Sequence, residues 1–120
     1  MQTFHFDRGE KAVSRHGSTG LAATRVAASD RGCTVTCLAL ARGGLVGTHP
    51  ASAVQLFLVV AGEGWVAGPD GRRTPLAAGW GVRWEPGEEH TSGSSSGMTA
   101  VVIEGAAMTL FEPELPGELG

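Results

Sequence analysis

The stretch Gly43-Gly44-Leu45-Val46-Gly47-Thr48-His49-Pro50-Ala51-Ser52-Ala53-Val54-Gln55, running on to Gly62, decides how this chain is read. It sets a histidine beside a proline turn, then delivers the chain into Val54 to Ala61, which is apolar apart from Gln55. A second stretch, Gly79 to His90, echoes it, with the histidine following the turn at Pro86-Gly87. Each histidine stands next to a run whose β-branched and aromatic content reads as strand.

The flanking sequence agrees. Gly32 to Ala41 alternates as a strand and is closed by Gly43-Gly44. Gly62-Glu63-Gly64 turns the chain into a return strand, Trp65 to Ala67, and Pro69-Asp70-Gly71 is a hairpin signal. Arg72 to Ala77, Gly81 to Glu85 and Met98 to Glu104 read as further strands, and Thr91 to Gly97 as a Ser/Gly loop. Phe4 to Asp7 is a candidate edge strand and Arg8 to Gly20 is irregular. For Leu21 to Ala28 periodicity leaves strand and short helix both open. Strands recurring about every ten residues, with turns between them, indicate an all-β sandwich or barrel.

Composition narrows the function classes. The chain has 120 residues, 42% hydrophobic and 18% charged, which suits one packed domain. A net charge of −3 does not attract phosphate backbones, so no nucleic-acid partner is expected. The longest apolar run, Leu56 to Ala61, is far short of the roughly 20 residues of a membrane helix, so no membrane partner is expected either. With no basic head and apolar segment at Met1 to Arg8, the cytoplasm is the expected address. Cys33 and Cys37 sit on one strand, where four residues span about 13 Å, beyond the roughly 7 Å that a disulfide tolerates. They read as structural thiols.

The two histidine segments resemble the paired motifs of the cupin superfamily. The first motif places a glycine, five residues, His-x-His, three or four residues, Glu, six residues and a glycine. Gly43, His49, Ala51, Gln55 and Gly62 fall on those positions. In the second motif, Gly79, Gly87 and His90 are in register, while Glu85 replaces a proline and Ser94 an asparagine. The resemblance covers 43–62 and 79–94. It implies an all-β double-stranded β-helix, a cupin-type jelly-roll barrel, with residues 1–110 as one domain and 111–120 as a loose acidic tail. It also implies a homodimer.

Metal-dependent cupins bind a divalent ion through three imidazoles and one carboxylate. Here only His49 and His90 match; Ala51 supplies no ligand and Gln55 is a neutral, weaker one. The first reading is therefore a small cupin-like protein that binds a small organic molecule. His49, Gln55, Trp84 and His90 would line its pocket, with Phe57 and Val59 as an apolar floor. The alternative is a metal-dependent oxygenase, isomerase or epimerase with His49, Gln55 and His90 holding iron, manganese, nickel or zinc. No cofactor is required by the sequence itself.

Other residues are expected to be structural. Glu85, Glu88 and Glu89 read as solvated turn charges, Arg83 as outward-facing, Trp80 as a partly exposed turn residue, and His5 and His16 as surface residues. The serines at 92, 94, 95 and 96 lack the strained strand-to-helix turn of a nucleophile. Gly62-x-Gly64 is not a phosphate loop, since no helix or lysine follows it.

Overall fold

A computed structural model describes residues 1–106 and 108–111. The expected acidic tail lies, apart from Phe111, outside the described residues.

Among the described residues the chain forms eight strands and one short 3-10 turn. These are β1 (Lys11–Val13), the turn Arg15–Gly17, β2 (Thr19–Ala28), β3 (Thr34–Pro50) and β4 (Val54–Ala67). They continue with β5 (Arg73–Ala77), β6 (Gly81–Trp84), β7 (Glu89–Ser94) and β8 (Met98–Gly105). All pairings are antiparallel. The strands close into a β-barrel, so the expected all-β jelly roll is what the chain builds. Among the described residues no helix is long and apolar enough to cross a membrane.

Two long strands make the closure possible. The first half of β3, Thr34 to Leu40, pairs with β8, and its second half, Gly44 to Pro50, pairs with β7. β4 does the same: Val54 to Gly62 lies against β8, and Glu63 to Ala67 against β5 and then β7. Each strand thus leaves one sheet and enters the other without stopping.

This corrects four readings. Gly43-Gly44 and Gly62-Glu63-Gly64 are not ends or turns but the corners where β3 and β4 change sheet. Gly62 shows why glycine is needed there. Its φ is +75°, and a Cβ would collide with the carbonyl oxygen of Gly97. The loop expected over Thr91 to Gly97 is largely strand β7, because Ser92, Gly93 and Ser94 find partners in the second half of β3. Phe4 to Asp7 forms no strand; the edge is β1, inside the segment read as irregular. Leu21 to Ala28 is strand, settled by its ladder with β3.

Inside the barrel lie Leu21, Leu40, Val46, Ala51, Phe57, Val59, Val66, Leu76, Trp84, Met98, Ala100 and Val102. The alternation is visible along β8, where Met98, Ala100 and Val102 are buried and Thr99, Val101 and Ile103 only half-buried. Glu104 continues the inward phase. Outside, Arg8 and Glu10 donate backbone N–H groups to Thr24 Oγ1, which ties the N-terminal segment across β2. Beside it Cys37 is 1% exposed, and burial first, with the Asp7 carboxylate second, pushes its thiol up to about 11. Cys33 is half-buried and both thiols are free. Arg83 faces outward as expected, pairing with Glu85 and reaching the Met108 carbonyl.

Gly47 carries a distinct constraint. A Cβ there would overlap the backbone carbonyl of His16, and the Gly47 N–H donates to the buried Ser18 Oγ at 3.0 Å. The 3-10 turn thus packs directly on β3 where it approaches His49. Gly47→Ala is expected to cost about 1–3 kcal/mol of stability by overpacking against backbone that cannot yield. Urea unfolding of the variant checks this, and an unchanged midpoint contradicts it.

Candidate functional site

The link from β3 to β4 and the turn before β7 lie side by side. Ala51 N–H donates to the Glu88 carbonyl at 3.0 Å, and Gly87 N–H to the Ala51 carbonyl at 2.7 Å. Glu88 Oε1 accepts the Glu85 N–H, so this carboxylate stiffens the turn rather than standing free in solvent. His49 and His90 are direct cross-strand partners, and their ring centroids are 4.4 Å apart with planes at 58°. Two imidazoles 41 positions apart in sequence therefore meet because β3 and β7 are neighbours in the second sheet.

Each ring is oriented by its own backbone. His49 Nδ1 lies 2.7 Å from the Gly47 carbonyl, and His90 Nδ1 lies 3.1 Å from the Glu88 carbonyl. A carbonyl only accepts, so each Nδ1 carries the proton, and in the neutral ring Nε2 is left with its lone pair.

The rings continue as a column. Trp84 stacks on His90 at 4.9 Å and 15°, and His16 stacks on His49 at 4.9 Å and 14°. His16 is at the surface, as expected from sequence, but it belongs to this cluster. Its backbone is left-handed, with φ 59°, a conformation that histidine tolerates better than most side chains. No ligand spacing announces His16; only the turn geometry brings it over His49.

Gln55 is buried and pairs across the strands with both Trp84 and Glu104. Glu104 was not read as a site residue. Its signal was the strand alternation: it shares the inward phase of Met98, Ala100 and Val102. Glu104 Oε2 accepts from Ser52 Oγ at 3.2 Å, and its charge acts on His90.

His90 is 4% exposed, and burial is the main influence holding its imidazole below the ordinary histidine value. The bond to the Glu88 carbonyl opposes this, His49 adds to it, and the carboxylates of Glu104 and Glu88 oppose it. His90 is thus held neutral.

Phe57 and Val59, expected as the floor of a pocket, are each 3% exposed and packed within the core. A cavity of about 480 Å3 lies instead between β4, β5 and β6, lined by Val66, Leu76, Val82 and Trp84 with Asp70, Arg72, Arg73 and Thr74 at its rim. Of the six residues expected to line a pocket, Trp84 alone borders this cavity. It also stacks on His90, so the indole joins the histidine column to the cavity.

The fit to a metal can be tested on these side chains. Among the described residues no group of three or more His, Cys, Asp or Glu side chains converges as a metal site. The stacked His16 and His49 rings cannot share an ion, because near-parallel planes displaced by stacking have no common in-plane point. Ala51 contributes only a methyl group, and it is buried. The residues present do not fit the four-ligand cupin metal.

No protein-family model matches this sequence, and no curated protein does. Solved structures do match. A cupin-like protein from Thermotoga maritima MSB8 aligns with a TM-score of 0.76 at 19% identity, covering 86% of this chain and 81% of that one. A Cupin 2 conserved barrel domain protein from Salinispora arenicola CNS-205 gives 0.71 at 20%, covering 89% and 90%. A predicted oxalate decarboxylase from Thermotoga maritima gives 0.70 at 18%, covering 78% and 88%. This chain has the cupin fold. At these identities the likeness is one of fold, and no particular activity follows from it.

Two outcomes are expected. A depressed histidine pKa gives stability that is present above the unfolded value, near 6.5, and is lost as pH falls toward the folded value. The urea midpoint should therefore fall as pH drops below about 6.5, and His90→Phe should flatten that dependence. An identical pH profile in the variant contradicts the assignment. Separately, Ala51→His with Gln55→Glu should raise nickel or zinc affinity by orders of magnitude, since it restores a nitrogen ligand and a charge. Calorimetric titration before and after the double change checks this, and unchanged weak binding counts against it.

Proposed function

We propose that this protein binds a small organic molecule within the barrel mouth and does no metal chemistry. The observation that carries the reading is the cavity of about 480 Å3 beside Trp84. That volume lies in the roughly 300–1,000 Å3 range of small-molecule sites. Its composition fits as well: aliphatic side chains and one indole below, a few polar groups above. The histidine column supports it from behind, because a neutral His90 stacked on Trp84 fixes the indole without adding charge to the wall.

The metal-dependent alternative draws on one observation. Both Nδ1 atoms are committed to backbone carbonyls, which leaves Nε2 of His49 and His90 available, as in histidines that ligate metals. The absence of a third converging ligand among the described residues favours the metal-free reading.

A homodimer belongs to the same proposal. The outer face of β4 and β8 carries Leu56, Leu58, Val101 and Ile103 in cross-strand register, with Val60 46% exposed beside them. This apolar patch, bordered by Arg83 across from Leu56, suits burial against its own copy.

Native mass spectrometry with elemental analysis of freshly purified protein tests these together. The expected result is a dimer without stoichiometric transition metal, carrying a removable mass below about 500 Da or accepting one on addition. Stoichiometric iron, manganese, nickel or zinc would replace this reading with the metal-dependent one.

A further inference from the structure

The rim of the cavity carries charge that the fold accounts for unevenly. Arg73 places its guanidinium over the Trp65 ring, 3.8 Å from the centroid, on the outer side of the β4–β5 hairpin. Asp70 accepts the Arg72 backbone N–H at 2.9 Å and so closes the Pro69-Asp70-Gly71 turn. Glu88, the other carboxylate near this corner, has Oε2 4.0 Å from where a Gly68 Cβ would sit, and its Oε1 accepts the Glu85 N–H. Each of these groups has a structural task. The Arg72 guanidinium has none: among the described residues it makes no ion pair, and only its backbone N–H is hydrogen-bonded.

Arg72 nevertheless borders the cavity, in the same alternation phase of the hairpin as Thr74 and Leu76. Thus a guanidinium with no ion pair among the described residues borders a wall of Val66, Leu76, Val82 and Trp84. A guanidinium offers a planar fork of N–H donors that matches a carboxylate bidentately, and it is hydrated weakly enough to act at the edge of an apolar site. The indole offers a face for a flat apolar body. The cavity is bordered by two arginines, Arg72 and Arg73, against one carboxylate, Asp70, so its rim is net positive on a chain of net charge −3, which favours an anion there.

We propose that the ligand of this cavity is a small carboxylate with an apolar or aromatic body, its carboxylate held by Arg72 and its body lying against Trp84. This rests on the small-molecule reading above. An amine of the same shape would meet the guanidinium as a like charge. A neutral amide would keep the apolar contact and lose the charge-assisted pair.

Calorimetric titration of the full chain with benzoate, phenylacetate and hexanoate, and with their amides, tests it. At least one acid is expected to bind about ten- to a hundredfold more tightly than its amide, the worth of a charged hydrogen-bond pair. Arg72→Gln, at an exposed position, should remove that preference and leave amide binding within about twofold. An acid and its amide binding equally well to the unaltered protein overturns the ligand class while leaving a binding cavity. Equal weakening of both by Arg72→Gln also overturns it, because a loss of shape rather than of charge is then responsible. If no acid and no amide binds, the cavity reading fails and this proposal falls with it.

Discussion

Everything in this barrel depends on β3 and β4 belonging to both of its sheets. A strand that ended at its first glycine corner would leave the sheets joined only by loops, and the apolar interior would open. Because β3 continues past Gly43 and Gly44, its last residues become neighbours of β7, and His49 meets His90. Because β4 continues past Gly62, Val66 and the hairpin to β5 come to stand over the mouth. The column of rings and the cavity are both consequences of sheet exchange. Glycine is the residue that permits it, since backbones approach at the corners more closely than a Cβ allows.

Within that frame, the site is organised around keeping buried groups neutral. Gln55 faces Glu104 across the β4–β8 ladder. A glutamate at 55 would put two carboxylates opposite each other in a half-dry place, a like-charge pair that strand neighbours tolerate poorly. A divalent cation would relieve such a pair. With an amide at 55 no relief is needed, and the burial that keeps His90 uncharged is consistent with a site built without a cation.

Much of this was legible from the residues. The spacing of Gly43, His49, Gln55, Gly62, Gly79, Gly87 and His90 led to the barrel, and the meeting of the two histidines follows from it. The corners were not legible, because a glycine that bends a strand between sheets and a glycine that ends a strand look alike in sequence; only the partner on the far side distinguishes them. Glu104 was readable in principle from the alternation of β8. His16 was not, since its place over His49 depends on a left-handed backbone and on Gly47 having no side chain. The cavity was misplaced for a packing reason. Phe57 and Val59 share the face of Gln55, but they are packed in the core with Val102 and Ala100 as their neighbours across the β4–β8 ladder. The free volume shifts to the hairpin end, where Gly68 and Gly81 line the wall and contribute no side chains.

Trp84 connects the sheet, the histidine column and the cavity. It pairs across the sheet with Gln55, stacks on His90, and forms part of the cavity wall. An indole held in that way cannot swing aside for a ligand without giving up its contact with His90. The contact with His90 thereby fixes this part of the cavity wall. The parts free to adapt are the exposed rim groups of the hairpin, Arg72 and Thr74.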